Sequence, residues 1–302
     1  GDGKARDTAS ALAVDDAGGI YVTGASCDGS LCDYVTVKYS PNGDELWVAT
    51  FDQGNKDEAS ALGVDRSGNL YVAGRSDNDY VTVQYNADGR EGWVARYDGP
   101  AGTNDRVSAL TLDANGAVII TGRSQGLPET GVDYATVKYS ASGEELWVAR
   151  YNGAANGEDA PRAVGVDAGG NILVTGSSCG ELLCEYATVR YDSDGNEVWA
   201  VRHAGPVPDG DAAVGLGIGG GEGDESAVYV VGHTRGVDTG WDYTIVKYVA
   251  ASGVRFRRGD VDVNGRLDIT DAVECHLVPR KNPFRIGPCL AVDRNAEDDV
   301  IV

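Results

Sequence analysis

The chain has 302 residues, a length that suits one large domain or two smaller ones. Its 47 Asp and Glu against 25 Lys and Arg leave a net charge of −22, which excludes a general nucleic-acid binder and argues against docking to an anionic membrane. Hydrophobic residues make up 42% of the chain, enough for a packed core, and no apolar run approaches the roughly 18 residues of a membrane-spanning helix.

From the first residues onward the chain repeats itself. Methionine is absent, no signal peptide is visible, and Gly1-Asp2-Gly3 reads as mid-loop, so a fragment or a processed form is expected. The first unit contains Ala11-Leu12-Ala13-Val14-Asp15, then Ile20-Tyr21-Val22-Thr23-Gly24, then Asp33-Tyr34-Val35-Thr36-Val37-Lys38-Tyr39, then Trp47. The third phrase returns at Asp79, Asp133, Glu185 and Asp242, at intervals of 46, 54, 52 and 57 residues. Trp93, Trp147 and Trp199 keep the first three of those intervals, and Phe256 or Arg257 stands at the fifth position. The first two phrases return at Ala61, Ala109 and Ala163, and in altered form at Val214 with a Gly219-Gly220-Gly221 insertion.

Each phrase is short and rich in Val, Ile, Tyr and Thr, which is strand chemistry. Turns such as Pro41-Asn42-Gly43 and Ser193-Asp194-Gly195 separate the strands. Two hairpins give four strands per unit of about fifty residues, and serial four-stranded units form a β-propeller. The fold class is therefore all-β, with five repeat units over residues 1–256. The recurring Trp is expected to pack between blades. The recurring Asp15, Asp65, Asp113 and Asp167 are expected to form turns, because a catalytic residue is normally needed once. The Lys38, Gln84, Lys138, Arg190, Lys247 column is expected to face the Glu45, Glu91, Glu145, Glu197 column across hairpins.

Through these phrases the chain resembles the seven-bladed propeller-repeat family of bacterial extracellular proteins. The resemblance implies a closed ring with further blades upstream; a five-bladed ring is the alternative. It says little about function.

Residues 257–302 change style. Asp260-Val261-Asp262-Val263-Asn264-Gly265-Arg266-Leu267-Asp268-Ile269-Thr270-Asp271 places oxygen side chains at loop positions 1, 3, 5, 9 and 12, with Gly at 6. That is the spacing of an EF-hand calcium loop, with the Arg266 carbonyl as the seventh-position ligand. The segment resembles a dockerin module. The resemblance implies Ca²⁺ at Asp260, Asp262, Asn264, Arg266, Asp268 and Asp271, a helix over Ala272–Val278, and a cohesin-like or other cell-surface protein partner. A second loop begins at Asp293 but has Asp298 in place of Gly, and Ile269-Thr270 stand where the family's partner-facing hydroxyl pair lies.

The six cysteines fall into pairs, Cys27 with Cys32, Cys179 with Cys184, and Cys275 with Cys289, which reads as a disulfide set in an oxidising compartment. Zinc is the rival, disfavoured by the wide spacing. His203, His233 and His276 form no legible catalytic arrangement. The expected function is a secreted or cell-surface, non-catalytic binding propeller tethered through calcium, with a protein or glycan ligand. The alternatives are a hydrolase, lyase or accessory subunit of polysaccharide degradation, and a cell-surface structural protein.

Overall fold

Runs of β-branched and aromatic residues broken by Gly-containing turns leave little choice but antiparallel strands. A computed structural model describes residues 6–29, 31–54, 56–128, 130–180, 183–220, 226–238, 240–249, 255–259, 273–276 and 290–291. Every regular element among them is a strand. The first sheet is a meander of β1 (Arg6–Val14), β2 (Ile20–Asp28), β3 (Leu31–Tyr39) and β4 (Glu45–Phe51). The second comprises β5 (Asp57–Val64), β6 (Leu70–Ser76), β7 (Asp79–Tyr85) and β8 (Glu91–Tyr97). The third comprises β9 (Arg106–Leu112), β10 (Val118–Gln125), β11 (Val132–Tyr139) and β12 (Glu145–Tyr151). The fourth comprises β13 (Asp159–Val166), β14 (Ile172–Cys179), β15 (Cys184–Tyr191) and β16 (Glu197–His203). The fifth holds β17 (Val207–Gly220), β18 (Ser226–Gly236), β19 (Gly240–Val249) and β20 (Arg255–Gly259), followed by β21 (Val273–His276) and β22 (Leu290–Ala291).

The turn between the first two strands of a sheet is closed by its aspartate, as the repeat implied. Asp15 Oδ1 accepts the N–H of Ala17 (3.0 Å) and of Gly19 (2.7 Å), and Asp65, Asp113 and Asp167 do the same in their sheets. The first strand carries a bulge in each of the five sheets, between Ala9 and Ala11 in the first and between Pro161 and Ala163 in the fourth. A bulge turns one extra side chain away from the ladder. Here the extra residues are Ser10, Ser60, Ser108, Arg162 and Val214.

No sheet buries its faces alone. Four apolar cores are each shared by two successive sheets. Trp47, Trp93, Trp147 and Trp199 pack against them: Trp47 lies 6.1 Å from Tyr21 of its own sheet and 6.4 Å from Tyr85 of the next. Trp47, Trp93 and Trp147 donate Nε1–H to the carbonyls of Ala87, Ala141 and Ser193, each in the following sheet. The between-blade reading of the Trp column therefore holds. In the fifth sheet Arg257 takes the Trp place, since it pairs with Lys247 as Trp47 pairs with Lys38. The back of the first sheet is uncovered: Leu12 and Val14 are 64% and 55% exposed, whereas Leu62 and Val64 pack on a core.

Two expectations need correction. The cationic column does not face the glutamates. A register shift after Lys38 sets Tyr39 opposite Glu45, and the same shift recurs in the next three sheets. The cations instead meet the turn aspartates: Lys138 with Asp113 at 3.0 Å, Arg190 with Asp167 at 2.8 Å, and Lys38 with Asp15 at 4.0 Å. In the stretch expected as helix over Ala272–Val278, the described residues Val273–His276 are strand β21, paired antiparallel with β20.

Candidate functional site

The first strands of successive sheets pack side by side, so their bulges and the adjoining second strands meet across sheet boundaries. Arginines collect there. Register places Glu58 opposite Arg75 in the second sheet and Arg106 opposite Arg123 in the third. The bulge of β13 adds Arg162 from the fourth sheet. Arg75, Arg106, Arg123 and Arg162 line one cavity of about 450 Å³, together with Ser60 and Ser108. That volume falls within the usual range of small-ligand sites.

The charges are only partly balanced. Glu58 accepts from Arg75 Nε (2.8 Å), and Glu158 of the next sheet pairs with Arg123. Neither Arg106 nor Arg162 has an ion-pair partner among the described residues. Like charges directly opposite on a sheet are destabilising, and Glu158 offsets only the Arg123 member of the Arg106–Arg123 pair. The electrostatics agree. Burial first, then the charges of Arg162 and Arg106, lowers the pKa of Arg123. Glu58 is pulled the other way: burial would raise its pKa, but hydrogen bonding to Lys56 and the charge of Arg75 outweigh it and leave it lowered. In a chain of net charge −22 this is a local cationic pocket, and each guanidinium offers N–H donors along the edges of its plane.

These residues were not singled out in the sequence. The usable signal was a departure from the repeat: the residue after the second-strand glycine is Ala25, Arg75, Arg123 and Ser177 in the first four units.

Of the residues that were singled out, Cys27–Cys32 and Cys179–Cys184 are disulfides, each joining cross-strand register partners at the end of a hairpin. The Cys275–Cys289 pair and the calcium-loop residues Asp260, Asp262, Asn264, Arg266, Asp268 and Asp271 lie outside the described side chains. His203 packs edge-on against Tyr186 (5.5 Å) and His233 against Trp241 (5.1 Å).

The family model described as a β-propeller repeat (SBBP) matches residues 52–80, which span the connection from the first sheet to the second, the hairpin β5–β6 and the first two residues of β7. No curated protein matches the chain. Among solved structures, the extracellular domains 1–2 of Drosophila Semaphorin 1a are similar at 9% identity, over 97% of this chain and 75% of that one, with a TM-score of 0.48. A protein from Lactobacillus plantarum is similar at 13% identity, over 86% and 83%, with a TM-score of 0.47. A family-43 β-1,3-galactosidase is similar at 8% identity, over 92% and 73%, with a TM-score of 0.39. The repeat match and the five successive antiparallel sheets make this a β-propeller protein.

Proposed function

We propose that the chain is an extracellular binding propeller whose ligand is an anionic glycan, held at the arginine-lined cavity and tethered through its C-terminal calcium loop. The observation that carries the ligand class is the convergence of Arg75, Arg106, Arg123 and Arg162 on one cavity with two of the four unpaired. Planar guanidinium groups recognise carboxylate and sulfate oxygens bidentately. Two disulfides on loop ends support an oxidising compartment. The carboxylate spacing from Asp260 to Asp271 supports Ca²⁺ there, and with it attachment to a cohesin-like or other cell-surface protein.

The test is calorimetric titration with a carboxylated oligosaccharide, a sulfated one and a neutral one of equal length. Binding of the charged sugars and not the neutral one is expected. Arg106→Ala with Arg162→Ala is expected to weaken it by about tenfold or more, since a hydrogen bond to a charged group contributes about 1.5–3 kcal/mol. Equal binding of all three sugars, or none, would remove the anionic-glycan reading.

A further inference from the structure

At the first three boundaries between successive sheets an acid near the start of the third strand (Asp33, Asp79, Asp133) sits near a buried aspartate at the start of the next sheet (Asp57, Asp105, Asp159). Glu185 and the buried Asp211 hold the corresponding places at the fourth. At three boundaries an arginine of the fourth strand supplies the counter-charge. Arg96 pairs with Asp79 at 2.7 Å, Arg150 with Asp133 at 2.8 Å, and Arg202 with Glu185 at 3.0 Å. At the first boundary the same register place holds Thr50: it lies opposite Val35 as Arg96 lies opposite Val81.

Three carboxylates gather there without that arginine. Asp33, Asp52 and Asp57 each bring an oxygen within 4.8 Å of the others. The nearby cations Lys56 and Arg75 are both engaged by Glu58, at 2.9 and 2.7 Å. Asp57 is wholly buried. Its Oδ2 accepts the N–H of Gln53 (2.8 Å), but its Oδ1 is buried and accepts nothing. In the third and fifth sheets the matching oxygens of Asp105 and Asp211 are satisfied by the N–H of Gln125 (3.1 Å) and Arg235 (3.0 Å). In the second sheet the backbone turns instead at Asp77, whose φ is 54°, and its N–H goes to the Lys56 carbonyl. Asp159 Oδ1 also lacks a donor, but the charge of Arg202 acts on that carboxylate. The group Asp79, Asp98 and Asp105 is equally close-set, yet Arg96 and two backbone N–H groups already serve it.

A buried, donorless carboxylate oxygen is costly, and two further carboxylates beside it make it more so. Burial, and then the charges of Asp52 and Asp57, raise the pKa of Asp33. We propose that Asp33, Asp52 and Asp57 bind a divalent cation of the calcium class between the first two sheets, in the role that arginine fills at the other boundaries. An all-oxygen carboxylate set drawn from strand β3 and the β4–β5 connection through the first residue of β5 suits the irregular, six-or-more-oxygen shell of Ca²⁺, with water completing it, better than the strict octahedron of Mg²⁺. None of these three aspartates lines the arginine cavity or belongs to the C-terminal loop spacing.

The test uses the full chain carrying Asp260→Asn and Asp271→Asn, so that the C-terminal loop contributes no heat. Calcium chloride titration is expected to show one bound ion and to raise the thermal midpoint over that in chelator. In that background Thr50→Arg is expected to lower calcium affinity at least tenfold and to abolish the calcium-dependent shift. Its melting in chelator should match or exceed the parent's. Asp52→Asn, at an exposed position, should also weaken binding at least tenfold. Should Asp57→Asn fail to fold, these two variants decide the matter. No calcium heat and no shift in the parent background, or unchanged affinity in Thr50→Arg, would overturn the proposal. Calcium binding that appears only when Asp260 and Asp271 are restored would assign it to the tail and overturn the proposal.

Discussion

The indole of Trp47 lies over Gly89 of the following sheet, so close that a Cβ on that glycine would stand 2.7 Å from the ring. Gly89 also has a φ of +84°, a conformation side chains rarely adopt. Gly143 and Gly195 meet Trp93 and Trp147 in the same way. Gly43 occupies the matching turn of the first sheet, has a φ of +89°, and has nothing within 4 Å. The pair therefore separates two costs. Gly43→Ala is expected to cost about 1 kcal/mol from backbone strain alone. Gly89→Ala adds overpacking against Trp47, about 1–3 kcal/mol more. Urea unfolding of the two variants checks this; equal losses would mean the indole contact has little weight.

The two short disulfides should be bonded in native material. Each joins residues five apart. Closing so short a loop contributes about 2 kcal/mol in the chain-entropy account. Cys27→Ser with Cys32→Ser should therefore lower stability by about that much without changing the fold. Free thiols at these positions in non-reducing peptide mapping would argue for a reducing compartment.

Alkaline titration should be cooperative. Burial, then the charge of Asp65, pushes the Tyr71 hydroxyl up to about 12, and burial pushes Tyr248 to about 12. In the unfolded chain both ionise near 10.0. Folded pKa values above unfolded ones mean that this stability is complete below pH 10 and is lost as pH rises toward 12. Tyrosinate absorbance should rise together with loss of the β-sheet circular dichroism signal. A smooth rise centred near pH 10, with the sheet signal intact, would contradict this.

The repeat made the strands, the turn aspartates and the Trp column readable, because each appears four or five times with one physical job. Cross-strand partners were not readable. The shift after Lys38 exchanges which side chain faces Glu45, and nothing in residue order marks that slip. The two candidate sites escaped for a related reason. Arg75, Arg106, Arg123 and Arg162 come from three sheets, and Asp33, Asp52 and Asp57 from two. What sequence holds is the exception within a column, Arg75 where Ala25 stands or Thr50 where Arg96 stands, and its meaning depends on which columns meet in space.

The C-terminal loop has its own test. Calcium titration of the full chain with Asp52→Asn, which silences the site between the sheets, should retain one binding event that Asp271→Ala removes, since Asp271 is the closing ligand of the loop spacing. An unchanged isotherm in Asp271→Ala would leave the loop as a solvated turn.

The central claim, an anionic glycan at the arginine cavity, is tested most directly by hydrogen exchange with and without a saturating carboxylated oligosaccharide. Slowed exchange is expected in peptides covering β6, β9, β10 and the bulge at Arg162, and nowhere in residues 257–302. Protection confined to the C-terminal segment, or spread over the outer strands β8, β12 and β16 with none at Arg106 and Arg123, would contradict it.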